Sequence, residues 1–265
     1  MQAGLNAALQ ALDSAAAPVR FYVRDDDAGW DDARLFALLE CAELAGVPID
    51  LAVIPQACSD ALAHALCARI DAAPLPIGVH QHGFAHINHE AVGRKCEFGQ
   101  TRGIEAQRRD LCRGQARLRA QFGARLDRLF TPPWNRCSAL TPALLAHLGY
   151  GALSRDHSAP PQDALPEWPV HVDWCREWRK AVLAGEHGAD RIGQALARAI
   201  AGGDAVGVML HHAQMTCAEL VSLQALFKPL TQHPHAHWIP MRELSDVAGA
   251  DAVCDWTGGY VRRLP

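Results

Sequence analysis

Short apolar runs alternate with amphipathic stretches along most of the chain. The apolar runs predict about eight strands, at residues 19–27, 49–55, 76–83, 128–134, 150–155, 169–174, 205–212 and 237–241. Stretches with helical spacing follow most of them, at 31–46, 59–71, 102–122, 141–148 and 217–230, and the segment IGQALARAIAG precedes the seventh strand. An amphipathic helix at the start of the chain and a short helix at its end complete the pattern.

This regular alternation indicates an α/β protein in which helices cover a parallel sheet. The pattern fits either a barrel or an open doubly wound sheet. No linker, internal repeat or low-complexity segment interrupts the 265 residues, so we expect a single domain over residues 1–265. The hydrophobic content of 49% is enough to fill a sizeable core.

Composition narrows the possible partners and location of the protein. The formal net charge is -4 and the Lys and Arg residues are scattered, so we expect no binding to nucleic acid. The nine cysteines contain no CxxC pair and are expected to be buried, reduced thiols. The first residues lack the pattern of a signal peptide, and no apolar stretch has membrane-spanning length, so we expect a cytoplasmic protein without a membrane span. The oligomeric state is left open.

Polar segments of unusual composition lie where the predicted strands end. They are RDDD, HQHGFAH, TPPWNR, HVDW and LHH. Parallel α/β folds build their active sites at the edge formed by the carboxyl ends of the strands. We therefore expect these five segments to meet at one site.

Two of the segments together predict a metal site. Asp25, Asp26 and Asp27 are adjacent carboxylates, which repel one another unless a cation or solvent relieves them. His82 and His86 are separated by three residues, and two imidazoles with one carboxylate form a recurring catalytic zinc set. A solvated turn remains the alternative interpretation of the acidic run.

The other histidines near this motif differ in their expected roles. Strand alternation places His80 on the same face as His82, so we expect His80 to face the site. His89 falls in the following loop, where it needs no role. The tract HPHAHW near the last strand has no carboxylate nearby and is interpreted as an incidental surface cluster.

The later strand ends supply candidates for proton transfer and for substrate contacts. His211 ends the apolar run AVGVML, and its imidazole suits a general acid that protonates a leaving amine. His212 points the other way by strand alternation. Asp173 could orient the imidazole of His211. Trp134 and Trp174 are either core residues or apolar walls against a sugar.

In chain order, RDDDAG, HGFAH, FTPPWN, HVDW and VMLHH resemble the five motifs of the polysaccharide deacetylase family, the NodB-homology group of carbohydrate esterases. The resemblance implies a distorted (β/α) barrel of seven to eight parallel strands and a divalent metal, usually zinc. In the nearest register, Asp27, His82 and His86 hold the metal, Asp26 is the catalytic base and His211 is the acid. The register one residue back, with Asp25 as the base and Asp26 as the ligand, stays open.

The sequence departs from the family pattern in the first and third motifs. Thr131 stands where the family has an arginine that pairs with the base, so we expect Arg136 or Arg155 to supply that charge. Ala28 stands where glycine is usual. Both changes indicate a divergent branch.

Substrate contacts are the least constrained part of the prediction. The candidates are His80, Trp134, Asn135, Arg136, Arg155 and Trp174. The loop at residues 88–99, with Arg94, Lys95 and Glu97, belongs either to the substrate pocket or to a solvated surface.

The resemblance implies hydrolytic removal of an N-acetyl group from an amino sugar or sugar conjugate. In this mechanism Asp26 takes a proton from a metal-activated water, which attacks the acetyl carbonyl, and His211 protonates the amine that leaves. The expected partner is thus a small N-acetylated molecule or oligosaccharide. Two alternatives stay open: a metal-dependent amidohydrolase acting on another non-peptide C–N bond, and a non-catalytic carbohydrate-binding relative.

Overall fold

The computed structural model describes residues 2–203 and 205–244, and its centre is one sheet of eight parallel strands. The strands are β1 (Val19–Ala28), β2 (Ile49–Val53), β3 (Ile77–His82), β4 (Leu126–Thr131), β5 (Ala152–Leu153), β6 (Val170–Asp173), β7 (Ala205–Leu210) and β8 (Ala236–Trp238). Seven of them lie in the order β5-β4-β3-β2-β1-β7-β6, and β8 pairs with the start of β1. This order places β1 near the middle of the sheet, between β2 and β7.

Helices follow most of the strands. They are α1 (Gln2–Asp13), α2 (Asp32–Ala45), α3 (Asp60–Ala72), α4 (Ile104–Phe122), α5 (Thr141–His147), α6 (Trp174–Ala184), α7 (Gly188–Gly202) and α8 (Cys217–Thr231). The predicted alternation is confirmed, except that the sequence pattern did not predict α6. The carboxylate of Asp173 caps this helix by accepting a hydrogen bond from the backbone N–H of Arg176 at 3.0 Å.

The sheet curls, but its outer strands β5 and β6 do not pair with each other along a continuous ladder. Two isolated bridges, Leu153 to Glu167 and Asp156 to Val170, link the segments around its outer strands β5 and β6. The expected distorted (β/α) barrel is therefore confirmed, and the open doubly wound alternative is wrong.

Strand alternation decides which side chains of β1 face the helices. Phe21 and Val23 are buried in the main apolar core between the sheet and its helices. The residues between and after them, Tyr22, Arg24 and Asp26, face the inside of the curl. All three are almost fully buried there. The inner face therefore carries polar side chains, which lead to the carboxyl edge of the sheet.

Of the two helices predicted at the ends of the chain, the first is present and the second is shorter than a helix. The amphipathic helix expected at the start is α1. The expected closing helix is a 3-10 turn at Met241–Glu243, and Cys254 lies outside the described residues. Among the helices of the described residues, none is both long and apolar enough to cross a membrane.

Candidate metal centre

Asp27, His82 and His86 come together at the carboxyl ends of β1 and β3. The Oδ1 atom of Asp27 lies 3.2 Å from Nε2 of His82 and 3.1 Å from Nε2 of His86. The possible ligand atoms of these three residues all lie within 4.8 Å of one another. Asp27 and His86 both have positive φ angles, 71° and 56°, which turn their side chains toward His82 at the strand end.

Backbone contacts hold the two imidazoles in place. Nδ1 of His82 donates a hydrogen bond to the backbone carbonyl of Thr131 at 3.0 Å, which leaves Nε2 as the free nitrogen. The buried carboxylate of Glu97 accepts hydrogen bonds from the backbone N–H groups of Phe84 (3.2 Å) and Ala85 (2.7 Å). Glu97 thus fixes the turn that carries His86, so it belongs to the support of the site rather than to a solvated loop.

Two tryptophans enclose the ring of His86. The ring centroid of Trp30 lies 4.8 Å from that of His86 in an edge-on arrangement, and the centroid of Trp134 lies 4.5 Å away. Sequence reasoning missed Trp30, although its position three residues after Asp27 is a signal that could have pointed to it. The two indoles limit the directions in which the imidazole of His86 can move.

The donor atoms of this group fit a divalent metal. Burial raises the pKa of Asp27, but the hydrogen-bonded imidazoles of His82 and His86 outweigh it and hold that pKa well below its usual range. A carboxylate that stays ionised beside two imidazoles, one of them oriented by a backbone carbonyl, is a donor set that zinc takes in catalytic sites. The described residues therefore offer the ligands that the sequence singled out for a metal.

Asp26 is buried against an arginine. Arg24 is fully buried and donates from Nε to Oδ1 of Asp26 at 2.7 Å and from Nη2 to Oδ2 at 2.9 Å. Its Nη1 also donates to Oγ of Ser154 (2.6 Å), and Nη2 donates to Oδ1 of Asn135 (2.6 Å). Burial raises the pKa of Asp26, but the guanidinium outweighs it and the pKa falls below its usual value. Asp26 is therefore held as a carboxylate at neutral pH.

The arginine that pairs with Asp26 is not the expected one. Arg155 instead forms a two-pronged ion pair with Glu167, at 2.6 and 2.8 Å. Arg136 donates to the backbone carbonyl of Lys95 at 3.0 Å. The expectation that Arg136 or Arg155 supplies the charge missing at Thr131 is wrong, because Arg24 supplies it from the first motif. A sequence signal existed: residues two apart on a strand share one face.

Asp25 faces the opposite side of the sheet from Asp26. Its carboxylate accepts hydrogen bonds from the backbone N–H of His212 (2.9 Å) and from Nδ1 of His212 (2.6 Å). Nε2 of His212 lies 2.6 Å from the backbone carbonyl of Trp30. Burial lowers the pKa of His212, but Asp25 and the carbonyl raise it to about 9. Of the two registers left open by the sequence, the Asp26/Asp27 register is the one that places a carboxylate beside His82 and His86.

His211 and Asp173 border the same cavity but do not contact each other through a hydrogen bond. The cavity has a volume of about 1230 Å³ and is also lined by Trp134 and Asn135. The Nδ1 atom of His211 is buried and has no hydrogen-bond partner among the described residues. Asp173 caps α6 instead. The suggestion that Asp173 orients His211 is therefore not met in this structure.

Two other predicted substrate contacts are buried and out of reach. Trp174 is fully buried at the start of α6 and packs against Phe227 with ring centroids 5.8 Å apart. His80 is fully buried, and its Nε2 lies 2.9 Å from Oγ1 of Thr131. Burial and the nearby Arg24 lower the pKa of His80 to about 3, so its ring is neutral. Neither side chain reaches the cavity, so the predicted substrate contacts of His80 and Trp174 are wrong, and the alternative that Trp174 is a core residue is the one the structure shows.

The remaining predicted contacts border the cavity. Trp134, Asn135, Arg136 and Arg155 all line it. Trp134 also contacts His86, so the cavity adjoins the group formed by Asp27, His82 and His86. His89 is exposed in the loop.

Comparisons with known proteins identify the fold. No family model matches the sequence, and no curated protein matches it. A family 4 acetyl xylan esterase of Clostridium thermocellum, solved with a cobalt ion, superposes with a TM-score of 0.56 at 15% identity, covering 85% of this chain and 89% of its own. A peptidoglycan deacetylase of Bacillus subtilis gives 0.55 at 13% identity, covering 86% and 90%.

A third similar structure shows that activity does not accompany this fold in every case. It is a variant of a family 4 pseudoenzyme, with a TM-score of 0.56 at 13% identity, covering 86% of this chain and 67% of its own. All three belong to the group that the sequence motifs resemble, and the resemblance is confirmed at the level of architecture. The chain has the NodB-type fold of the family 4 carbohydrate esterases and polysaccharide deacetylases, in a divergent form.

Proposed function

We propose that the protein is a metal-dependent hydrolase that removes an N-acetyl group from an amino sugar or sugar conjugate. The observation that carries the proposal is the grouping of Asp27, His82 and His86 beside the Asp26–Arg24 pair. The similar solved structures include a peptidoglycan deacetylase and an acetyl xylan esterase with cobalt, which supports an acetyl group as the target.

The ligand residues have a defined task in this proposal. Asp27, His82 and His86 hold a divalent metal, for which zinc best suits the two nitrogens and one oxygen. When bound, the metal supplies Lewis acidity to a carbonyl oxygen and to water. The wall formed by Trp30 and Trp134 keeps His86 oriented toward the other ligands.

Asp26 and His211 move the protons. Asp26 accepts a proton from water as the water oxygen bonds to the acetyl carbon. Arg24 keeps Asp26 ionised and fixes both of its oxygens. His211 then donates a proton to the nitrogen of the amine as the C–N bond breaks, so that acetate and a free amine are the products. Since His211 borders the open cavity, it can reach the departing group.

Metal content tests the ligand assignment. Protein purified without chelators is expected to hold about one metal ion per chain by elemental analysis, and His82→Ala is expected to lose it. His89→Ala is the matched control, because His89 is an exposed histidine of the same segment. A wild-type chain that binds no stoichiometric metal after incubation with zinc, cobalt or manganese would contradict the proposal.

Acetate release identifies the bond that is cleaved. N-Acetylglucosamine and its short oligomers are compared with simple N-acetyl amides on the metal-loaded chain. Release from the sugars supports the proposal, and release from the simple amides alone supports an amidohydrolase of different substrate class. A chain that binds the sugars without release, and equally well as Asp26→Asn, would support the non-catalytic alternative.

A further inference from the structure

The wall of the cavity next to the candidate metal centre carries a cluster of basic side chains. Arg94 and Arg136 line the cavity. Lys95 lies between them in space through its carbonyl, which Arg136 contacts, and in sequence next to Arg94. The guanidinium of Arg136 is held by its hydrogen bond to the carbonyl of Lys95 at 3.0 Å. The Nζ atom of Lys95 lies 6.0 Å from the ring centroid of Trp134. Because Trp134 also packs on His86, Lys95 and the candidate ligand His86 are neighbours of the same indole ring.

The basic cluster, which consists of Arg94, Lys95 and Arg136, forms no ion pair with an acidic side chain of the described residues, 2–203 and 205–244. Burial and the neighbouring charge of Arg94 lower the pKa of Arg136, and they outweigh the attraction of Asp156, which raises it. Arg94 and Lys95 are exposed and Arg136 is half-buried, so an anion entering the cavity can reach all three like charges.

Three of the four carboxylates that line the cavity, which are Glu90, Asp156, Asp163 and Asp173, are engaged by other groups. Asp156 accepts hydrogen bonds from the backbone N–H (3.0 Å) and Oγ (2.6 Å) of Ser158, and it pairs with Arg176 at 3.3 Å. Asp173 caps α6. Glu90 accepts from Oγ1 of Thr101 at 3.0 Å. Asp156 attracts Arg136 at longer range, but none of these carboxylates forms an ion pair with the basic cluster.

We propose that the basic cluster of Arg94, Lys95 and Arg136 binds a phosphate group carried by the acetylated substrate. This inference rests on the proposed deacetylase function and names its substrate class as an N-acetylated sugar phosphate. The planar fork of an arginine matches two phosphate oxygens, and three unpaired cations match a dianionic phosphate better than a single carboxylate. The basic cluster borders the same cavity as His211, and Trp134 links it to His86. One substrate molecule can therefore present its phosphate to the basic cluster and its acetyl group to His86 and His211.

Acetate release and binding on matched sugars test the inference. The metal-loaded chain is assayed with N-acetylglucosamine 1-phosphate and with N-acetylglucosamine, and binding of both sugars and of inorganic phosphate is measured by calorimetry. We expect kcat/KM to favour the phosphorylated sugar by about ten-fold or more. In the double variant Arg94→Gln/Arg136→Gln that ratio is expected to fall toward one. Arg119→Gln, an exposed arginine of α4 away from the cavity, is the control and should leave the ratio unchanged.

The outcomes separate this inference from the proposed function. Equal kcat/KM values for the two sugars would overturn the inference and leave the deacetylase proposal standing. A preference that persists in the double variant would also overturn it, because the phosphate would then contact another group. If neither sugar releases acetate, tighter binding of the phosphorylated sugar that the double variant loses supports the phosphate site while the proposed function fails. Equally tight binding of free phosphate would show that the cluster recognises the anion without the sugar, which would contradict a substrate site.

Discussion

Two carboxyl groups buried in the same sheet, those of Asp26 and Asp50, have pKa values shifted in opposite directions by their surroundings. Asp26, near the end of β1, has both oxygens bound by Arg24 and a pKa below its usual value. Asp50, the second residue of β2, accepts from the backbone N–H of Met241 at 2.9 Å through Oδ2, while its Oδ1 has no partner among the described residues. Burial, together with the nearby Asp127, raises its pKa to about 8.

The strand register makes this difference informative. Arg24 lies directly opposite Asp50 in the pairing of β1 with β2, yet its guanidinium reaches along β1 to Asp26. Gly78, opposite Asp50 on β3, leaves room for the carboxyl groups of Asp50 and Asp127. Burial therefore keeps Asp50 protonated, whereas Arg24 keeps the equally buried Asp26 ionised. The cation stands next to the carboxylate that lies near the candidate metal ligands.

The largest effect is expected from Asp26→Asn. If Asp26 is the base, acetate release falls by roughly 10²–10⁴-fold, while metal content stays near one per chain. Elemental analysis and an acetate assay on the same preparation check this. Asp50→Asn is the matched control, because it changes a buried carboxyl group of the neighbouring strand that lies away from the candidate ligands. A similar loss of activity in both variants would remove the functional distinction between the two carboxylates.

Arg24→Met is expected to have the next largest effect. It leaves Asp26 buried without its cation, which costs about 3–5 kcal/mol of unfolding free energy for a broken buried ion pair. Denaturant unfolding at pH 7 measures the loss. The double variant Arg24→Met/Asp26→Asn should recover part of it, because the uncompensated charge is gone. If the loss of unfolding free energy in the double variant equals the sum of the losses in the two single variants, Arg24 and Asp26 are not coupled.

Asp50→Asn is expected to change how stability depends on pH. The unfolded chain ionises Asp50 at about pH 4, whereas the folded chain keeps the proton to about pH 8, so the folded state binds more protons in between. Its contribution to stability is thus complete below about pH 4 and is lost as the pH rises to about 8. Asp50→Asn should flatten this decline and stabilise the protein by about 3–5 kcal/mol at pH 8. Unfolding curves from pH 4 to pH 8 test it, and parallel profiles for both proteins would contradict the assignment.

The smallest effect is expected from Asp127→Asn. Burial raises the pKa of Asp127 to about 6, and Asp127 in turn helps to raise the pKa of Asp50. Asp127→Asn should remove the part of the decline that Asp127 itself causes between about pH 4 and pH 6, and should move the alkaline end to lower pH. The change at pH 7 is expected to be about 1–3 kcal/mol. The same series of unfolding curves detects the shift. If the alkaline end of the stability decline does not move, burial alone sets the pKa of Asp50.

Some predictions from sequence succeeded because they depend on local spacing. The alternation of strands and helices follows from hydrophobic periodicity, which predicted the parallel sheet and seven of the eight helices in the described residues. The choice of a barrel came from the family resemblance. The helix α6 was missed because Asp173 and Trp174 look like the polar end of a strand. Asp173 caps the helix and Trp174 is its first buried residue.

Partners far apart in sequence could not be predicted in the same way. Arg136 and Arg155 follow the third motif and were reasonable partners for Asp26, but each is engaged by another group. Glu97 supports the turn before His86 from a loop more than ten residues further on. Such contacts depend on how loops fold back on the sheet, which periodicity does not describe.

The sequence by itself determined that the reactive side chains meet at one edge, because parallel strands bring their carboxyl ends together and the motifs stand at those ends. It also determined, through strand alternation, that Arg24 and Asp26 share a face opposite to Asp25. Only the tertiary structure decided that Arg24 is the cation of Asp26, that Asp25 belongs to His212, and that His80 and Trp174 are buried. The physical reason is that burial and pairing are set by neighbours in space. Most of these neighbours come from strands and loops far apart along the chain, and the local pair of Arg24 and Asp26 is distinguished only because Arg136 and Arg155 are held by other groups.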